Sequence, residues 1–131
     1  MNNQEIFNTV VNGLREQGCK SGYQNDNIEE FVCLYRDKDG NKCGAGWIIA
    51  DEDYTKEMEG SSFNYKTTPE VTPRVFEPLV QKMGLTGENI VLIGHLQHIH
   101  DKHEVGEWEE QWVLLAKNFN LEIPVRLLES P

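Results

Sequence analysis

The chain reads as an α+β domain, a small antiparallel hairpin or sheet packed against about four helices. Three observations predict this class. Apolar residues recur at helical spacing near both ends, first as Ile6, Phe7, Val10, Val11 and Leu14, then as Trp108, Trp112, Leu115 and Phe119. Between them, residues 31–35 are β-branched and aromatic, and 36–41 (RDKDGN) is a strong turn signal. Finally, 131 residues without a repeat, linker or low-complexity tract fit a single domain spanning 1–131.

Taken in order, a first helix is expected over Asn3–Gln17, with Asn2 or Asn3 as N-cap, Glu5 in the first turn and Gly18 as C-cap. Residues 19–27 are rich in Ser, Gly and Asn and read as a loop. Residues 31–35 and 42–50 are expected to pair as a hairpin across the 36–41 turn. Gly44 and Gly46 are poor strand residues and mark a bulge, or a place where a backbone or ligand comes close. The acidic stretch 51–59 suggests one or two helical turns, and 61–73 a long surface loop. A helix over 74–83 must hold Pro78 in its first turn and ends at Gly84.

Thr86 then offers an N-cap for a helix over 88–103 that carries all four histidines. On a wheel of about 100° per residue, Ile90, Leu92, Ile93, Leu96 and Ile99 form one stripe. His100 and His103 fall inside it, while His95 and His98 lie off its edge and read as surface residues. A last helix is expected over 104–119, ended by Asn120. The apolar tail 121–128 contains Pro124 and fits an edge strand or an extended segment on the helices.

The net charge of −10 argues against direct binding to nucleic acid or to an anionic membrane, because like charge repels both. It suits a chain that meets basic protein surfaces. The acidic clusters at 26–30, 51–59 and 101–110 could enter a basic groove, with Glu104, Glu107, Glu109 and Glu110 as contact residues. The N-terminus lacks a basic start and an apolar core, so no secretory signal is expected. No apolar run approaches a membrane span. An odd number of cysteines, three, points to a reduced, cytoplasmic setting.

Cys43 beside two glycines, with His100 as base and Asp101 or another carboxylate orienting it, would suit a small Cys/His-dependent hydrolase. Asp101 follows His100 directly and points about 100° away on a helix, so Asp51, Asp53 or Glu59 would serve as well. Gly44 and Gly46, with Tyr54, could instead bind a nucleotide or small molecule, though Walker and Gly-x-Gly-x-x-Gly spacings are missing. No cofactor is expected. Zinc would find three cysteines and four histidines, but no ligand spacing that it uses. A fully satisfied polar cluster around His100, with Tyr54 hydrogen-bonded to it, would simply fix how helix and hairpin dock.

Several runs coincide with a pattern: Gln4-Glu-Ile-Phe7, Cys33-Leu-Tyr-Arg36, Lys42-Cys-Gly-Ala-Gly46, Ile49, Asp51, Tyr54, Glu59-Gly60, Leu96-Gln-x-Ile-His-Asp101, Trp108 and Phe119-Asn-Leu121. In these the chain resembles an uncharacterised family of small phage and prophage proteins, with Gly44 standing where that pattern has Ala. The resemblance implies a phage-type accessory protein acting in the host bacterial cytoplasm by binding and modulating a host protein, with a possible anti-defence or nucleic-acid-mimic role. It also implies Cys33, Cys43, Tyr54, His100 and Asp101 as a shared centre.

Overall fold

The computed structural model describes residues 1–125. Helices α1 (Asn3–Gln17), α2 (Glu77–Met83), α3 (Gly87–Lys102) and α4 (Trp108–Phe119) accompany one antiparallel pair of strands, β1 (Gly22–Asn25) and β2 (Glu30–Cys33). The α+β class is therefore as expected. Its caps follow from local chemistry. The Asn2 side chain accepts from Glu5 N–H while Glu5 reaches back, and Thr86 and Asn89 do the same for α3. Gly18, Gly84 and Asn120 end their helices in the left-handed conformation. Pro78 sits in the first turn of α2.

Helix α3 is the centre of the packing. Ile90, Leu92, Ile93, Leu96 and Ile99 are buried as the wheel requires, and so are Asn89, Gly94, Gln97 and His100. A helix buried on so many sides must be covered on each of them. Ile6, Phe7, Val10, Val11 and Leu14 of α1 and Trp108, Trp112 and Leu115 of α4 join this core. The 61–73 loop crosses α3 at Gly94, where a Cβ would lie 2.1 Å from the Asn64 carbonyl oxygen. Arg15 ties α1 to α4 through two hydrogen bonds to Glu109, at 2.7 and 2.8 Å. Its Nη1 donates to the Pro124 carbonyl at 2.7 Å. Gln4 and the backbone of Glu122 bond reciprocally at 2.9 Å, so residues 121–125 lie extended along α1. The rest of the tail expected over 121–128 lies outside the described residues.

The hairpin is displaced from its expected place. Gly22 pairs with Cys33, Tyr23 with Val32, Gln24 with Phe31 and Asn25 with Glu30, so β1 lies within the segment read as loop. The turn chemistry explains it: Asn25 Oδ1 accepts from Asn27 N–H at 3.1 Å, and Glu29 adopts φ 53°. Asn-rich stretches make tight turns by such local bonds. Residues 42–50 do not pair. They coil into a short 3-10 turn, Ala45–Trp47, with Cys43, Ala45, Ile48 and Ile49 in the core. The carbonyls freed by this coiling are met by Arg36, whose Nη1 donates to Gly46 at 2.8 Å and whose Nη2 donates to Ile49 at 2.5 Å. Side chains thus replace the ladder partners that a strand would have had. The 36–41 turn persists on Asp37, which accepts from the backbone N–H groups of Asp39 and Asn41. The last helix begins later than expected, at Trp108, after a 3-10 turn Val105–Glu107.

Candidate functional site: a polar clamp at the hairpin root

The C-terminal turn of α3 carries the polar residues that the core must accommodate. His100 is fully buried and stacks on Trp108 with ring centroids 5.7 Å apart. Its Nε2 accepts from Ser21 N–H at 3.0 Å, and its Nδ1 lies 2.7 Å from Asp101 Oδ1. An acceptor at Nε2 and a carboxylate at Nδ1 together define the neutral imidazole with its proton on Nδ1. Asp101 also accepts from Gln97 Nε2, at 2.9 and 3.1 Å, and Gln97 Oε1 accepts from Ala45 N–H at 2.7 Å. The Cys33 Sγ lies within 4.8 Å of the same carboxylate. Ser21 precedes β1 and Cys33 ends β2, so His100 holds one strand of the hairpin at its root and the Asp101 carboxylate stands beside the other. Asp37 adds a third hold by accepting from Gly22 N–H at 3.2 Å.

Three sequence-derived expectations change here. Asp101 does reach His100. The wheel separates Cα–Cβ directions, but Nδ1 is the ring nitrogen nearest the backbone, and a neighbour's short carboxylate can turn to it. Tyr54 does not bond His100; its hydroxyl donates to Glu59 Oε2 at 2.6 Å. Glu59 also accepts from the N–H groups of Tyr35 and Arg36, at 2.9 and 3.1 Å, and so replaces the ladder partner those residues lack. Burial first, and then the Glu59 bond and charge, push the Tyr54 phenol up to about 12. The cysteine grouped with His100 and Asp101 is Cys33 rather than Cys43.

Cys43 is fully buried, and its Sγ accepts from Gly46 N–H at 3.3 Å. Burial pushes its thiol far above the ordinary range, which disfavours the thiolate a nucleophile needs. Cys33 is pushed up to about 12 by burial and by the Asp101 charge. The close approach foreseen at Gly44 and Gly46 is real, but what approaches is the protein itself. A Cβ on Gly44 would lie 2.8 Å from Leu96 O and 2.9 Å from Gln97 Cα, and one on Gly46 would lie 2.6 Å from Tyr35 O. The glycines serve packing on α3, and a ligand has no room there.

A cleft of about 480 Å³ opens beside the clamp, lined among others by Cys33, Tyr35, Glu59, Tyr65, Gln97 and Asp101. Neither Cys43 nor His100 faces it. His95 and His98 are half-buried rather than surface residues. Tyr65 packs on His98 with centroids 4.5 Å apart, and Phe119 on His95 at 6.0 Å. Burial holds both imidazoles below their usual pKa, and the nearby His103 adds to this at His98.

Cys33, His100 and Asp101 place one possible metal-ligand atom each within 4.8 Å of one another. A metal held by Nδ1 would cost the clamp its Ser21 hydrogen bond. Nδ1 would have to give up its proton, and the neutral ring would then direct an Nε2 proton at the Ser21 N–H. Of the four glutamates expected as a contact surface, Glu109 is held by Arg15, and Glu107 accepts from Glu104 N–H at 2.9 Å. Glu104, Glu107 and Glu110 remain exposed. No helix among the described residues is long and apolar enough to cross a membrane.

Gln97, Ser21 and Arg36 were not legible as site residues, and Glu59, a candidate partner for His100, instead accepts from Tyr35, Arg36 and Tyr54. The one signal for Gln97 was a polar residue amid an apolar stripe. Comparison with protein-family models, with curated proteins and with solved structures gave no match.

Proposed function

We propose that this chain is a small acidic accessory protein of phage type that works in the host bacterial cytoplasm by binding and modulating a host protein, without catalysing a reaction. The observation that carries this reading is the occupancy of His100, the histidine that the sequence singles out as a candidate base. Both His100 nitrogens are engaged, to Ser21 and to Asp101, and the ring is fully buried. A general base needs a free nitrogen within reach of a substrate proton, and a nucleophilic cysteine needs a depressed pKa. The clamp serves neither requirement. The net charge of −10 supplies the complementary half of the argument, since it favours association with basic protein surfaces and opposes nucleic acid and anionic lipid.

The test is affinity purification of the tagged chain from a bacterial host, with variants chosen to separate the readings. Charge reversal at Glu104, Glu107 and Glu110 is expected to weaken retention of a stoichiometric host protein, with folding unchanged. Cys43→Ser is expected to leave retention intact. A folded Cys43→Ser protein that lost its effect on the host, with retention preserved, would overturn the binding reading in favour of a thiol hydrolase.

A further inference from the structure

We propose that the β1–β2 hairpin is the docking arm of this protein, and that it enters a partner-protein cleft lined by Lys or Arg together with apolar side chains. The inference deepens the binding reading and rests on it. Cross-strand partners share a face, so Tyr23 and Val32 lie on one side of the hairpin, and Gln24 and Phe31 on the other. Tyr23 is 47% exposed, Phe31 42%, and Ile28 at the tip 55%. Large apolar side chains therefore meet solvent on both faces and at the end, the arrangement of an element received between two walls. Among the described residues, the pair of strands also leaves both outer edges without a ladder partner, so backbone groups beyond Gly22 are available there.

Charge selects the occupant. Residues 21–35 contain no Lys or Arg, and Asp26, Glu29 and Glu30 stand exposed around Ile28. Nucleic acid and anionic lipid would be repelled by these carboxylates. A second copy docking arm to arm would bring both sets of carboxylates together, so self-pairing is disfavoured. A cleft combining cations with apolar surface satisfies both features. The root supplies the remaining requirement. His100 and Asp37 fix Ser21 and Gly22, Asp101 stands within 4.8 Å of Cys33 Sγ, and Leu34 N–H donates to Ser21 O at 3.1 Å. An arm held in this way loses little conformational entropy on binding.

The decisive experiment titrates the full-length, isotope-labelled protein with a decapeptide of alternating lysine and leucine while amide NMR shifts are followed. A lysine–serine peptide and a glutamate–leucine peptide serve as comparisons. Saturable shifts confined to 22–33 are expected, with the lysine–serine and glutamate–leucine peptides weaker by roughly tenfold or more. The double variant Tyr23→Thr/Phe31→Thr, which keeps strand propensity, is expected to bind roughly tenfold more weakly at an unchanged thermal midpoint. Shifts centred on Glu104, Glu107 and Glu110 or on 51–59 would overturn the arm while leaving the acidic binding surface standing. Equal binding by the lysine–serine peptide would show charge acting without the apolar side chains, and would also overturn it. Self-association through 22–33 would make a second copy the occupant and refute the proposed cleft. Failure of every cationic peptide to bind anywhere would remove both the arm and the binding reading. Should the double variant unfold, the wild-type shift map and the serine comparison still decide.

Discussion

The root of the hairpin and its tip obey opposite rules. At the root, the backbone N–H groups of Ser21 and Gly22 meet side chains from α3 and the 36–41 turn, and His100 is sealed from solvent. At the tip, Ile28, Glu29 and Glu30 are exposed and the apolar side chains are left uncovered. The core has spent a buried histidine and a carboxylate to fix two short strands whose own faces it does not use. Buried polar networks of this kind specify geometry more than they add stability. The difference therefore separates what holds the arm from what the arm displays, and variants in the two regions should behave differently.

The largest effect is expected at the root. His100→Ala would leave the Ser21 N–H without its acceptor and a cavity beside Trp108, a loss of about 3–5 kcal/mol in a urea unfolding curve. Gly44→Ala comes next, at about 1–3 kcal/mol, because the obstructing atoms are α3 backbone and cannot swing aside. A fully stable Gly44→Ala protein would show that the 43–50 coil can lift from Gln97 without cost. Glu59→Gln should cost about 1–3 kcal/mol by weakening three accepted hydrogen bonds. It should also bring the Tyr54 phenol down from about 12 in an absorbance titration, since Glu59 both bonds and charges that site.

Acid should weaken the root more than the tip. Partial burial raises the Asp37 pKa, but bonds from Asn41, Gly22 and Asp39 outweigh it and hold the carboxyl below its ordinary value of 3.8. Its contribution is present above that value and is lost as pH falls through the lower, folded pKa. His95 and His98 act earlier. Their folded pKa values lie below the ordinary 6.5, so stability declines once pH drops under it. Unfolding curves between pH 7 and 3 should therefore fall in two stages, with Asp37→Asn flattening the second. The smallest change belongs to the arm: Tyr23→Thr/Phe31→Thr should shift stability by about 0.5 kcal/mol or less, measured in the same urea curves. A large loss there would mean that the tip is part of the core.

Much of the helical frame was legible because its signals are local. Asn2 with Glu5, Thr86 with Asn89, and the terminal residues Gly18, Gly84 and Asn120 act within a turn of themselves. The stripe through Ile90, Leu96 and Ile99 needs nothing beyond its own period, and of the two histidines it placed inside, His100 is buried while His103, at the helix end, is half-buried. The hairpin was not legible in the same way. Residues 42–50 have the composition of a strand, yet Gly44 and Gly46 let that backbone press on Leu96 and Tyr35. Arg36 and Gln97 then supply the hydrogen bonds that pairing would have given. These partners come from positions 10 to 52 residues away, a separation that no local pattern encodes.

The choice of Cys33 over Cys43 beside Asp101 has the same origin, because it depends on which strand end meets the last turn of α3. The sequence by itself determined the helices, their C-terminal ends, the acidic balance and the histidine that had to be explained. Tertiary structure decided that this histidine would be a neutral clamp with both nitrogens occupied. The reason is that a buried imidazole takes its tautomer and its role from the donors and acceptors that packing brings to it.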